Sequence, residues 1–349
     1  LLGILYAALG AFTFALNNVT MRRGVVTGSV LQGMAFTVPI GGLSFLLMTI
    51  AFGELGQLIL FPTVALAWLA CQGIVHFVIG RYCNYRSNQL MGVNLSAPVI
   101  QLQVPFAMLL AVLTLHEKFT VLQAIGSALM LGGSFAAQAE ADEASATASA
   151  TQSAPITTFI GPVQEALARS HVPRKSTFRP RVFSGYLFAF AAAACYGSSP
   201  LMARQAFLHA PGASTVAGGC LAYAAATLVF SLALLKPGSW RDIKATKPEN
   251  LPWFIAAALL VAISQALVYA SLAIAPLMVV TPILQLSLVF RLFLSQLINR
   301  DYEVMNASVF IGAFTAVLGS ILVSLNTDQL TMVMPTAIAE FLRYRLVGH

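Results

Sequence analysis

The stretch APVIQLQVPFAMLLAVLTLHEKFTVLQAIGSALMLGGS, residues 97–134, decides the fold. It holds two apolar runs separated by a short polar turn around Glu117. Each run is close to the roughly 20 residues that a helix needs to cross a hydrocarbon layer about 30 Å thick. A second stretch, TPILQLSLVFRLFLSQLINRDYEVMNASVFIGAFTAVLGS at 281–320, repeats it. Pro98 and Gln101 match Pro282 and Gln285 at an offset of 184, and Glu117, Gly126, Gly133 and Ser134 match Glu303, Gly312, Gly319 and Ser320 at 186. Working outward, Tyr85 and Ser87 fall on Tyr269 and Ser271 at 184, and Gly3 and Arg22 on Gly185 and Arg204 at 182. The chain is an internal duplication.

Composition places that duplication in a membrane. Of 349 residues, 58% are hydrophobic and 9% charged, with a mean hydropathy of +0.82. A soluble domain runs at roughly 45–50% apolar and about 25% charged, so a soluble globular protein is excluded. Apolar runs suited to spanning helices cover 1–21, 29–52, 61–82, 92–114, 119–138, 182–208, 213–235, 251–274, 276–298 and 304–325. Five spans per half is an odd number, so the second half enters the membrane in the opposite sense. The predicted fold is an all-α polytopic membrane protein with ten transmembrane helices in two inverted five-helix repeats, the plan of many secondary transporters.

The expected organisation is a first repeat at 1–138, a linker at 139–181, a second repeat at 182–325 and a C-terminal tail at 326–349. The linker opens with AEADEASATASATQSAP, which has little to bury and reads as flexible. Phe159, Ile160, Val163 and Leu167 recur at helical spacing, which fits either a helix on the membrane surface or plain linker. Ile338, Phe341, Leu342 and Leu346 suggest an interfacial helix in the tail. The chain opens at Leu1 without methionine, which points to a missing native N-terminal segment. Its first run lacks a basic leader and reads as a helix rather than a signal peptide.

The net charge of +7 does not indicate nucleic acid, because the basic residues sit in the gaps between apolar runs. Loops after odd-numbered spans hold fourteen Lys and Arg, Arg22, Arg23, Arg81 and Arg86 among them, against four on the other side. The positive-inside rule then places both termini outside the cytoplasm. Cys71, Cys83, Cys195 and Cys220 form no CxxC pair and read as packing residues, with neither a disulfide framework nor a zinc site indicated.

The 97–134 motif resembles the drug/metabolite transporter superfamily, specifically its ten-helix EamA-type branch. It has the proline near the start of span four, the acidic residue in the tight turn and the glycine-bearing fifth helix, and the second half repeats them with NRDYE in the turn. The resemblance covers residues 1–325 and departs from the commoner pattern in the long linker and in the absence of a basic residue from span two. It implies a membrane carrier whose first, third and fourth helices of each half surround a central cavity, with both termini in the cytoplasm.

Polar groups at mid-bilayer are costly and so face protein or water. The candidates are Asn17 and Asn18 in span one, His76 in span three, Asn94, Gln101 and Gln103 in span four, Ser198 and Ser199 in span six, Gln265 in span eight, and Gln285, Ser287 and Arg291 in span nine. Asn17, Asn18, His76, Asn94, Gln101, Gln265, Gln285 and Arg291 form the candidate substrate site. Each amide is equally suited to bonding between helices, His76 to a structural hydrogen bond, and Arg291 to snorkelling towards Asn299. Pro98 and Pro282 fit either a tolerated kink or a helix break at the site, and the paired glycines fit close helix packing. All twelve acidic residues lie outside the ten runs, so no carboxylate is available for proton coupling there.

The function that follows is a secondary transporter, permease or exporter, for a small polar metabolite such as an amino acid or organic anion. The expected setting is the bacterial plasma membrane, with lipids and a small-molecule substrate as partners, no nucleic acid, no cofactor, no metal, and a monomer or homodimer. The alternatives are an integral-membrane lipid-modifying enzyme, which would want paired carboxylates or a metal set near one face, and a non-transporting membrane scaffold.

Overall fold

The computed structural model describes residues 2–115, 119–133, 180–274, 283–303, 307–324 and 345–347. Among the described residues seven helices are long and apolar enough to cross a membrane, and three shorter apolar helices bring the set to ten. They are α1 (Leu2–Thr27), α2 (Val30–Ala51), α3 (Thr63–Met91), α4 (Val93–Ile100 and Gln103–Leu115), α5 (Val121–Gly133), α6 (Val182–Leu208), α7 (Thr215–Ala233), α8 (Leu251–Ile274), α9 (Ile283–Ile298) and α10 (Ala307–Ser324). Most of the linker, Glu117, Pro282 and most of the tail lie outside the described residues.

The helices begin and end where local chemistry permits. Ser29 caps α2 in a capping box with Gln32, and both side chains also hold Asp242 in the short helix Ser239–Lys244. Ser214 accepts from the backbone N–H of Val216 and Ala217 to start α7. Between α3 and α4 the chain turns at Gly92, whose φ of 89° suits a residue without a Cβ.

The two halves interlock. α1 packs along α8 and α9, and in the reciprocal positions α6 packs along α3 and α4; α2 meets α8 as α7 meets α3. Each half therefore lends its first helix to the third and fourth helices of the other, and the space between the halves lies at the centre. The outer faces carry exposed Leu43, Leu47, Leu113, Leu187, Leu228 and Leu318, the apolar exterior that a bilayer requires.

α5 and α10 meet through their glycines. A Cβ at Gly133 would stand 2.5 Å from the Gly312 carbonyl oxygen, and one at Gly319 would stand 2.4 Å from that of Gly126. The backbones are in contact, the close approach that small residues permit between membrane helices.

Two expectations on the extent of the spans are corrected. α1 runs to Thr27 rather than ending at 21, and α3 runs to Met91 rather than 82. Arg22 and Arg81, counted among the loop charges, are inside helices and buried, which makes them, with Arg291, three buried arginines within the described helices. Polar residues are tolerated there because protein, not lipid, surrounds them. In the tail, Arg345–Val347 forms a short strand pairing antiparallel with Phe119–Thr120, so Leu346 belongs to no interfacial helix. Backbone pairing satisfies the same N–H and C=O groups that a helix would.

Arg22 makes an ion pair with Glu303 at 3.2 Å, both side chains 0% exposed. It also donates to the carbonyls of Gln89 at 2.8 Å and Tyr302 at 2.8 Å. Glu303 in turn accepts from the backbone N–H of Val93 at 2.9 Å and Asn94 at 3.0 Å, capping the first turn of α4. A Cβ at Gly92 would lie 2.5 Å from that carboxylate, a second reason for glycine there. Burial pushes the Glu303 carboxyl above its ordinary range, opposed by the Arg22 charge and the two backbone donors.

Candidate functional site

A cavity of about 220 Å³ opens between the two halves, lined by α1, α3, α4, α6, α8 and α9. The helices that line it are the first, third and fourth of each repeat. Its polar walls come from Asn17, His76, Arg81, Asn84, Gln101, Gln103, Ser264, Gln265, Gln285 and Ser287, and its aromatic walls from Phe14, Tyr85 and Tyr196.

Local irregularities bring these groups inward. α3 passes through a π-helical segment at Ile74–Gly80, which carries His76 and ends immediately before Arg81. Such bulges shift the register of the following side chains and recur at functional sites. From there Arg81, Asn84, Tyr85 and Asn88 fall at helical spacing on one buried face. In α4 the helix is interrupted by a turn at Gln101–Leu102, just after Pro98, and Gln101 enters the cavity from that break.

The walls are tied by hydrogen bonds across helices. Gln101 Nε2 donates to Gln285 Oε1 at 2.7 Å, joining equivalent residues of the two halves, and Gln103 Nε2 donates to Gln101 Oε1 at 3.3 Å. Asn17 Nδ2 donates to the Ala257 carbonyl at 2.7 Å. His76 Nδ1 and Ser199 Oγ are 3.0 Å apart, and Gln72 Nε2 donates to the same hydroxyl at 3.0 Å. Arg81 donates through NH1 to the Thr37 carbonyl at 3.0 Å and through NH2 to the Tyr223 hydroxyl at 2.9 Å. Tyr223 is itself held by stacking on Phe77, with ring centroids 3.7 Å apart.

Of the residues singled out from the sequence, Asn17, His76, Gln101, Gln265 and Gln285 line this cavity, and Asn18, Asn94 and Arg291 stand outside its lining. Asn18 Oδ1 accepts from Asn84 Nδ2 at 3.2 Å and Asn88 Nδ2 at 3.3 Å, and so ties α1 to α3. Asn94 accepts from Ser295 Oγ at 2.5 Å, tying α4 to α9. Arg291 is 5% exposed, with its guanidinium 5.0 Å from the centre of the Phe14 ring that forms part of the wall. Its Nε has no hydrogen-bond partner among the described residues.

Sequence reasoning missed Arg81, Asn84, Tyr85 and Tyr196. The duplication carried the signal. At the offset of 184, α8 at 251–274 maps onto 67–90, so span three reaches past Arg81 and places its counterpart at Gln265. The same offsets pair Phe14 with Tyr196, Gln101 with Gln285 and Gln103 with Ser287. Every one of these residues lines the cavity.

Residues 1–137 and 183–325 match the profile of the EamA-like transporter family. The chain belongs to this family. Its members are membrane transporters of the drug/metabolite transporter superfamily, so this EamA-like protein is a multi-pass membrane protein of a transporter family. Among solved structures, one titled simply a crystal structure of a protein is 15% identical, with 90% of this chain and 95% of that chain covered at a TM-score of 0.48. A comparison with curated proteins finds no match.

Proposed function

We propose that this EamA-like protein is a secondary carrier that moves a small polar metabolite across the bacterial inner membrane. It works as a monomer or homodimer by rocking its inverted halves around the central cavity. The observation that supports this most directly is that equivalent positions of both repeats, Gln101 with Gln285 and Arg81 with Gln265, converge on one cavity. With such symmetry, exchanging the conformations of the two halves turns an opening on one side into an opening on the other. The cavity volume of about 220 Å³ lies below the roughly 300–1,000 Å³ of pockets for drug-sized ligands, which fits a compact solute. The experiment is counterflow in proteoliposomes preloaded with single metabolites. Saturable exchange of one of them is expected, and a protein that binds a metabolite but never accelerates its exchange contradicts the reading in favour of a scaffold.

Transport by facilitated diffusion or exchange is part of the proposal. The carboxylates among the described residues, Glu54, Asp242, Glu249, Asp301 and Glu303, all lie outside the ten helices. His76 is the one wall residue that titrates near neutral pH in water. Flux is therefore expected to be the same with and without an imposed proton gradient. Gradient-driven accumulation that persists with an unchanged pH profile in His76→Gln would show that the coupling group lies elsewhere.

A further inference from the structure

We infer that the cavity is built for a small organic acid, with Arg81 as the group that receives its carboxylate. This rests on the carrier reading and adds the chemical class of the cargo.

Arg81 is 4% exposed and forms part of the cavity wall. Two of a guanidinium's five N–H donors are used, both on neutral acceptors, the Thr37 carbonyl and the Tyr223 hydroxyl. The rings of Phe77 and Tyr223 lie beside it at 5.3 Å and 5.7 Å. Among the described residues no carboxylate pairs with it. An ionic group buried without a counter-charge is costly, and the chain shows that it can supply one: Arg22, equally buried but away from the cavity, has Glu303. The arginine on the wall, like Arg291 behind Phe14, is left without an acid among the described residues.

The repeat shows that the scaffold does not need this charge. At the equivalent place in the second half stands Gln265, a neutral amide on the same cavity wall that makes no hydrogen bond among the described residues. A planar guanidinium with donors to spare is the side chain best matched to a carboxylate, which it holds through two parallel hydrogen bonds. Three residues on, Asn84 also lines the cavity, and its Oδ1 is buried with no partner among the described residues. Arg291, set behind Phe14, adds positive charge to the region but no donor to the wall.

The test uses the purified full chain and follows melting temperature against sodium lactate, serine, succinate, inorganic phosphate and glucose at matched ionic strength. A carboxylate is expected to raise the melting temperature in a saturable way and glucose is not. Arg81→Gln should weaken carboxylate binding roughly ten- to a hundredfold, with Arg81→Lys recovering part. Because Arg81→Gln also loses its ties to Thr37 and Tyr223, Gln265→Glu serves as the second variant. It breaks no hydrogen bond and puts an internal carboxylate into the same cavity, so it should abolish the response while the ligand-free melting temperature stays near the parent's. The proposal is overturned if no carboxylate stabilises the protein, if phosphate or glucose does so instead, if neither variant changes carboxylate affinity, or if Arg291→Gln costs more affinity than Arg81→Gln. Carboxylate binding without flux in proteoliposomes would refute the carrier and leave the acid site standing. Saturable flux of a neutral solute indifferent to carboxylates would do the reverse.

Discussion

Replacing Glu303 with alanine is expected to destabilise the fold by about 3–5 kcal/mol, the range for leaving one member of a buried ion pair without its partner. Three contacts are lost together. Arg22 is left as an unneutralised cation at 0% exposure, and the N–H groups of Val93 and Asn94 lose their acceptor at the start of α4. Glu303→Gln should be milder, because the amide oxygen still accepts a hydrogen bond although the charge is gone. Arg22→Met should be comparably harmful, since it leaves the Glu303 carboxylate buried. In the double variant Arg22→Met/Glu303→Ala the charge penalty disappears on both sides, so its loss should be clearly smaller than the sum of the two single losses. Melting temperatures of the four proteins in one detergent make the measurement. Strictly additive shifts would mean that the two side chains do not act as a pair.

The second large effect is expected at the contact between α5 and α10. Gly319→Val should cost about 1–3 kcal/mol or more, the usual toll of overpacking, because its Cβ would fall 2.4 Å from a backbone oxygen that no rotamer change can move. Gly133→Val should behave alike, with 2.5 Å to the Gly312 oxygen. The neighbouring Gly132 has open space where a Cβ would go, so Gly132→Ala should be neutral or stabilising by roughly the helix-propensity difference of about 1 kcal/mol. A melting series in which Gly132→Ala falls as far as Gly319→Val would remove the close-contact explanation.

Much of the site was legible in the amides. Gln101 and Gln285 were found because polar side chains in an apolar run have few explanations, and the repeat made them a pair. Asn18 and Asn94 satisfied the same criterion yet serve to join helices. A polar residue in a span announces that it faces protein, and composition alone does not say whether that protein is a neighbouring helix or a cavity wall. Arg291 shows the same limit: its isolation in an apolar run was visible, and its position behind Phe14 was not.

By itself, the sequence determined the membrane class, the ten spans, the duplication and the opposite entry of the second half, because these follow from run lengths, composition and matched punctuation. Tertiary structure alone decided the fate of RYCNYRSNQ at 81–89. Hydropathy reads that segment as loop since it scores a side chain against lipid, whereas here α6 and α7 and the other neighbours of α3 replace lipid and let a polar helical face stay at depth. The burial of Arg81 without an acid, and of Arg22 with one, depends on residues far away in the chain. The Arg22–Glu303 contact joins positions 281 residues apart, a distance over which only the packed bundle can specify a partner.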